Sequence, residues 1–399
     1  MRIALVLETW DPAGGGLEQW AAQLAARLRL RGHEVVVVAF RAAQDAPRDG
    51  LHLVPWRARR LERAASAAVA LADIGADLVH DLGVGWRYDV IQPPMGSRLA
   101  NRARDLASQP RFDRWLRRIG PASRRWLREV RALETRQYRT GDGLVLAVSR
   151  RVADDLVALH GVAADRLRLV PNGVDVDRYA PARGVDGRDA LRARCGAGPD
   201  VPLVLFAARN PRLKGLPALI AAAARQRSRG RRLRVVAIGH EPDASILREV
   251  DRHRAHDLVS FAGSVPDPLP WYAAADVVAL PTWYDACSLT VLEACACALP
   301  VVTTRWNGAA ELLTDGQDGF VVDGPEDIGA LSAALERAAA PGARARIGAA
   351  ARVLALRHTL DANVDVVERA YDAAIERRRA RRRPEATSST SGSPACQDR

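Results

Sequence analysis

Residues 2–40 read RIALVLETWDPAGGGLEQWAAQLAARLRLRGHEVVVVAF. The apolar run 2–8 predicts a buried strand, Gly14, Gly15 and Gly16 a tight turn, and Leu17, Trp20, Leu24 and Leu28 a helix that Gly32 stops. Residues 34–40, EVVVVAF, predict a second buried strand. Strand, glycine turn, helix and strand in this order make one βαβ unit of a doubly wound parallel sheet.

The same grammar restarts at 202–208, PLVLFAA, runs through an Ala-rich helix ending near Gly230, and returns as LRVVAIG at 233–239. Further strands are predicted at 258–262, 276–280, 300–304 and 319–323. Two α/β sheets in tandem follow, with a boundary at 175–200, where Pro181, Gly184, Gly187, Gly196, Gly198 and Pro199 cluster. Ligands of such sheets bind at the carboxyl ends of the strands, so two facing sheets would enclose a deep cleft. The length of 399 residues suits two cores.

Composition narrows the function. Apolar residues make up 48% and charged residues 27%, which is globular. The net charge is +12, yet Lys214 is the one lysine, so an arginine-rich coding bias weakens the charge as a sign of nucleic-acid binding. An Arg-rich nucleic-acid-binding protein stays as the rival from another class, without a recognised module or stacking aromatics. Cys195, Cys287, Cys295, Cys297 and Cys396 form no metal-spaced set and read as reduced thiols. No run reaches the ~18 apolar residues of a spanning helix, and the N-terminus reads as a strand rather than a signal peptide. A cytoplasmic protein is expected, at most peripheral on the inner face of the plasma membrane. Residues 98–139 carry thirteen arginines against four acidic residues, interleaved with Phe112, Trp115, Trp126 and Leu127. They read as amphipathic helix whose basic face is either simply solvated or a docking patch for an anionic membrane or a phosphorylated acceptor.

Chemistry concentrates in the second half. In YDACSLTVLEACACALP, residues 284–300, Asp285 and Glu293 stand eight apart across a turn that opens a short helix. Amides of Ser288, Leu289 and Thr290 at that helix N-terminus suit a pyrophosphate, and Glu293 can accept from ribose hydroxyls; a capping box, Thr290-x-x-Glu293, fits the same letters. Arg209 and Lys214 stand five apart just after the first strand of the second sheet, where fixed cations could meet a departing diphosphate.

These motifs together resemble the family 4 retaining glycosyltransferases, whose acidic-x7-Glu signature is matched here with Asp285 in place of the usual glutamate. The likeness runs from residue 2 to about 376 and extends to Gly15-Gly16, Gly239-His240, Phe261-Ala-Gly263-Ser-Val265 and WYAAADVVALPT at 271–282. It also covers Val170-Pro-Asn172-Gly173-Val174-Asp175, Asn307-Gly308-Ala-Ala-Glu311 and Asp315-Gly-x-x-Gly319, the last two expected to line the cleft and turn the chain.

The resemblance implies the GT-B architecture: two Rossmann-like domains facing across a cleft, an acceptor-side domain at 1–178 and a nucleotide-sugar domain at 179–355. A C-terminal helix at 356–376 should return to the first domain, and a basic, Ser/Thr-rich disordered tail should fill 377–399. It implies a retaining hexosyltransferase, favouring UDP-glucose as donor and a glycolipid or polysaccharide acceptor such as a lipopolysaccharide core. Arg209, Lys214 and Asp285 are then catalytic, and Gly15, Gly16, Gly239, Val265, Ser288, Leu289, Thr290 and Glu293 join Arg209 and Lys214 in holding the donor. No metal or cofactor is implied, and Asp175-Val-Asp177 reads as linker rather than metal site. Lipopolysaccharide-core members carry Q-P-H-G-G-S where this chain has Gln92-Pro93-Pro94-Met95-Gly96-Ser97. His80, with Asp81 and Gly96, is the candidate acceptor-side substitute; a strand-end histidine satisfied by its neighbours is the other reading. A nucleotide-sugar epimerase of related fold is the rival enzyme.

Overall fold

The computed structural model describes residues 1–181 and 186–382. The first sheet has seven parallel strands: β1 (Arg2–Trp10), β2 (Glu34–Ala42), β3 (Leu51–Leu53), β4 (Leu78–Asp81), β5 (Val90–Ile91), β6 (Leu144–Ala147) and β7 (Leu167–Leu169). The second has six: β8 (Leu203–Ala207), β9 (Arg234–Ile238), β10 (Val259–Gly263), β11 (Val277–Leu280), β12 (Val301–Thr304) and β13 (Phe320–Val322). Their orders, β3-β2-β1-β4-β5-β6-β7 and β10-β9-β8-β11-β12-β13, are doubly wound, reversing between β1 and β4 and between β8 and β11. All the pairings are parallel. Strands of this kind are covered on both faces, which is why 34–40 and 203–207 read as continuous apolar runs.

In the first domain the helices are α1 (Gly16–Leu30), α2 (Arg60–Ile74), α3 (Arg98–Ser108), α4 (Arg111–Ile119), α5 (Pro121–Glu134) and α6 (Arg150–His160). The basic segment thus forms three helices, closed by a π-helical turn at Thr135–Arg139. Pro110 and the Gly120-Pro121 pair break it, because proline cannot donate to a preceding turn. Around the second sheet lie α7 (Arg188–Arg194), α8 (Leu216–Ser228), α9 (Ala244–Arg252), α10 (Leu269–Ala274), α11 (Leu289–Ala296), α12 (Ile328–Ala339) and α13 (Pro341–Ala355).

The last helix of the described residues, α14 (Leu360–Arg382), packs on α1 and β5 and so returns to the first domain. Its Asn363 accepts from Trp20 Nε1 at 3.2 Å, and Tyr371 is fully buried. The disorder expected from residue 377 is corrected for 377–382. These continue the helix because Arg377 pairs with Asp165 at 2.8 Å, Arg378 with Asp89 at 3.0 Å and Arg381 with Asp142 at 2.7 Å. The rest of that tail, 383–399, and linker residue Gly184 lie outside the described residues.

Candidate functional site

The loops leaving β1, β8 and β11, all at carboxyl ends beside the two switch points, meet across a cavity of about 910 Å3. Gly15, Gly16, Arg209, Lys214, Gly239, Val265, Asp285, Ser288, Leu289, Thr290 and Glu293 all line it. Every donor-side and catalytic candidate of the sequence therefore reaches one hollow.

Two helix N-termini open onto it. Gly15 is the N-cap of α1 and Ser288 that of α11, and no side chain caps either. Free first-turn amides and the helix dipole favour an anion there. The capping-box reading of Thr290 and Glu293 is corrected: Thr290 lies inside the helix, its hydroxyl donating to the Ala207 carbonyl at 3.3 Å. The turn is held from beneath, where Asn307 Oδ1 accepts from the Ser288 and Ala309 amides at 3.2 and 3.1 Å. Asn307 is fully buried, so it braces the turn rather than lining the cleft. Glu311, also expected in the cleft, instead accepts from the Arg150 and Arg151 amides at 2.7 and 2.8 Å, capping α6 across the domain junction.

Arg209 stands exposed at the end of β8, and its guanidinium reaches the opposite glycine loop. A methyl group at Gly15 would fall 2.6 Å from Arg209 Nη1, and one at Gly16 would fall 3.1 Å from Leu289 Cδ1, so the loop must be bare to approach this closely. Lys214 donates to Asp285 Oδ2 at 2.6 Å and to the Tyr284 carbonyl at 3.1 Å. Asp285 is in turn fixed by its backbone, which exchanges hydrogen bonds with Trp306 and Gly308. Lysine and aspartate thus form a pre-set pair lining the cavity.

Glu293, on α11, accepts from the Tyr272 hydroxyl at 2.6 Å, with the Tyr179 hydroxyl also facing it. Burial pushes its carboxyl above the usual range, while the two phenols and Arg178 pull it back. The roles of Tyr179 and Tyr272 are invisible in the sequence, because they depend on the linker packing edge-on against α10, the rings 5.7 Å apart. Asn172 was legible only as linker; its Nδ2 donates to the Cys287 carbonyl at 2.7 Å and so ties the crossing chain to the donor turn. Cys287 lines the cleft, but burial pushes its thiol up to about 12, which keeps it protonated and unreactive.

The remaining candidate residues lie elsewhere. His80 and Asp81 do not line the cavity: both are fully buried at the end of β4. His80 Nδ1 meets the Tyr371 hydroxyl at 2.8 Å, and burial lowers its pKa to about 3; Asp81 accepts from the Val84 and Gly85 amides and is raised to about 6 by burial. They organise the β4 turn and the seat of α14. Gly96 lines a neighbouring hollow, and a methyl group there would meet the Tyr284 hydroxyl at 2.4 Å. Asp276, within the motif run 271–282, is a buried anchor at the base of β11, paired with Arg192 at 2.8 Å. Asp175 accepts from the Asp177 and Arg178 amides, a turn rather than a metal ligand. Among the described residues no three His, Cys, Asp or Glu side chains gather as a metal site requires.

Facing doubly wound parallel sheets, with cations and free helix amides converging between them, define the GT-B class of glycosyltransferases. Family models agree on both halves: "Glycosyltransferase Family 4" matches residues 14–178 and "Glycosyl transferases group 1" matches 201–340. A D-inositol 3-phosphate glycosyltransferase of Acidothermus cellulolyticus is 31% identical over 408 residues, covering 92% of this chain and 87% of that one. The enzyme so named from Xylanimonas cellulosilytica is 33% identical over 259 residues, and there the chain spans 62% of the relative's length. Among solved structures, WaaG, a glycosyltransferase involved in lipopolysaccharide biosynthesis, superposes with a TM-score of 0.75 at 22% identity, covering 93% of this chain and 99% of that one. Anabaena HepE, solved with UDP-glucose, superposes with a TM-score of 0.71 at 18% identity, covering 93% of this chain and 100% of that one. The chain belongs to glycosyltransferase family 4.

Proposed function

We propose that this chain is a retaining hexosyltransferase that draws on a nucleoside diphosphate sugar, with UDP-glucose the favoured donor. One observation carries the reading: Arg209, Lys214 and the uncapped start of α11 line a single cavity that also holds Glu293. Glu293 takes the ribose hydroxyls, Asp285 orients the sugar, and the two cations with the helix amides take up the charge that grows on the leaving diphosphate. The bond from the anomeric carbon to the diphosphate oxygen breaks, an acceptor oxygen bonds to that carbon from the same face, and its proton passes to a phosphate oxygen. No metal is required in this reading, because fixed positive groups already face the diphosphate.

Two acceptor classes remain in view. The sequence resemblance favours a glycolipid or polysaccharide such as a lipopolysaccharide core, while the names of the relatives favour a cyclitol phosphate. Contact with an anionic membrane is part of the first: Phe112 and Trp115 on α4 are 69% and 56% exposed beside Arg111, Arg117 and Arg118. Among the described residues no helix is long and apolar enough to cross a bilayer.

A thermal-shift screen of nucleoside diphosphate sugars tests the donor, since a ligand at about 100 times its Kd adds about 2.7 kcal/mol to the native state. UDP-glucose should raise Tm, and product analysis should show a new glycoside only when an acceptor is added. No stabilisation by any sugar nucleotide would end the reading; sugar inversion without acceptor would turn it into an epimerase. Flotation with anionic against neutral vesicles tests the membrane contact.

A further inference from the structure

A second hollow of about 700 Å3 opens beside the donor cleft, roofed by α3, α4 and α5 over the carboxyl ends of β1 and β4. It shares Leu17, Pro94, Met95, Asn101 and Asp105 with the donor cavity, so the two are continuous. A molecule seated in it could present a hydroxyl at the shared mouth, next to the donor sugar.

Its lining is cationic. Arg60, Arg98, Arg102 and Arg117 face Glu8 and Asp105, so four positive side chains meet two negative ones, a net of 4 − 2 = +2. Of the two carboxylates, Asp105 is taken by Arg102 at 3.0 Å. Behind the wall, Glu129 stands 3.9 Å from Arg60, at the edge of ion-pair range. Among the described residues no carboxylate forms an ion pair with half-buried Arg98, whose guanidinium donates to the Gly83 carbonyl, or with exposed Arg117. Burial, with the nearby charges of Arg98 and Arg63, makes the Arg60 guanidinium easier to deprotonate, against the opposing pull of Glu129 and Glu8. Part-buried positive charge without a counter-charge is unfavourable, and an entering anion would relieve it.

The geometry suits one kind of anion. Arg98 and Arg102 lie four residues apart on one face of α3, while Arg60 begins α2 and Arg117 lies in the last turn of α4. Arg60 and Arg102 each stand 5.8 Å from the ring centre of Trp126, so both guanidinium groups gather at one aromatic side chain. Forked donors converging from three helices match the several acceptor oxygens of a tetrahedral phosphate better than one carboxylate. Met95 and Leu116 complete the wall with apolar surface for the carbon body attached to that phosphate. We propose that this hollow is the acceptor site and that it selects a phosphorylated acceptor, holding the phosphate among Arg60, Arg98, Arg102 and Arg117 while a hydroxyl of the same molecule faces the donor cleft. The inference rests on the transferase reading above, yet its test is separate from that of the donor.

Calorimetric titration of the full chain with inositol 3-phosphate, myo-inositol, inorganic phosphate and phosphatidylinositol vesicles provides that test, each run with UDP bound. A free phosphate ester is indicated by tight binding of inositol 3-phosphate or inorganic phosphate; a lipid headgroup is indicated by binding of the vesicles alone. In either case R60Q/R102Q should weaken the phosphate ligand about tenfold or more, since each charge-assisted bond is worth about 1.5–3 kcal/mol. Arg117→Gln, at an exposed position, should weaken it in the same direction without threatening the fold. UDP affinity should stay at the wild-type value in all three proteins, which shows that the donor site is intact. Wild-type binding of UDP together with no phosphate ligand bound would overturn the proposal and leave the donor reading standing. Equal binding of myo-inositol and inositol 3-phosphate would overturn it too, as would unchanged phosphate affinity in both variants.

Discussion

Lys214→Ala separates the cation from the carboxylate it holds, and its cost can be worked from their geometry. Lys214 Nζ sits 2.6 Å from Asp285 Oδ2, and the two side chains are only 22% and 15% exposed. Removing the lysine loses a charge-assisted contact to the diphosphate, about 1.5–3 kcal/mol, or about 10- to 150-fold in UDP affinity. It also uncovers the Asp285 carboxylate, which then repels the entering anion, so the single variant should fall toward the weak end of that span. Lys214→Ala combined with Asp285→Asn removes the repulsion and should regain several-fold of the loss, while Asp285→Asn alone should leave UDP affinity equal or better and lower turnover of the sugar donor. Calorimetry with UDP, and initial rates with UDP-glucose, read the four corners of this double-mutant cycle. Wild-type UDP affinity in Lys214→Ala, or a double variant no better than the single one, would refute the placement of the diphosphate against this pair.

Glu293→Ala should weaken UDP about tenfold or more, about 1.4 kcal/mol, in the same titration. Because burial raises the Glu293 carboxyl, UDP affinity should decline as pH falls; Tyr272→Phe removes a bond that stabilises the carboxylate, so the decline should begin at higher pH. Superimposable pH profiles for wild type and Tyr272→Phe would count against this. Gly308→Ala places a methyl group 1.8 Å from the Ala286 carbonyl oxygen and 2.5 Å from Ser149 Oγ, and scanning calorimetry should show a loss of about 1–3 kcal/mol or more. Gly342→Ala meets nothing within 4 Å and serves as the neutral control. Burial holds the His80 pKa at about 3 against 6.5 unfolded, so its contribution to stability is complete above pH 6.5 and is lost as pH falls toward 3. Between pH 7 and pH 4 that is about 3 kcal/mol. His80→Phe should lose about that much less over the same interval by urea titration, from a neutral-pH baseline lowered by the unpartnered Tyr371 hydroxyl. Asp81 titrates nearby in both proteins and cancels in the comparison, so parallel stability curves would contradict the assignment.

Local signals carried much of this structure. Alternation of apolar runs with glycine turns predicts strands at 2–8, 34–40, 202–208 and 233–239, and the structure has them at 2–10, 34–42, 203–207 and 234–238, because strands covered on both faces read as continuous apolar runs. That the donor candidates would share one cavity was legible because they lie in the loops and the helix start that follow strand ends beside the switch points. Side chains whose role depends on a distant partner were not. Asn307 and Glu311 sit next to each other in a motif, yet one braces the Ser288 turn and the other caps a helix of the opposite domain. His80 lies near a strand's carboxyl end, as Arg209 does, but α14 returns from far along the chain and covers it with Tyr371. Nothing near residue 80 encodes that cover.

The same distinction explains why the donor site depends on the segment that crosses between domains. Arg209, Lys214 and α11 all belong to the second sheet, so they alone could hold a diphosphate. Orientation needs more. Asn172 anchors the Cys287 carbonyl at the mouth of α11, and Tyr179 joins Tyr272 at Glu293, so the linker touches both the turn before α11 and the helix itself. Arg104 reinforces the junction from α3, donating to the Trp283 carbonyl at 2.9 Å with its guanidinium 3.3 Å from the centre of the Trp306 ring. The Trp306 carbonyl in turn accepts from the Asp285 amide, so one residue links Asp285 to Arg104 of the first domain. A relative shift of the two domains would therefore strain the Asn172–Cys287 and Arg104–Trp306 contacts that flank Asp285, so the proposed donor pocket is mechanically linked to the interdomain contact.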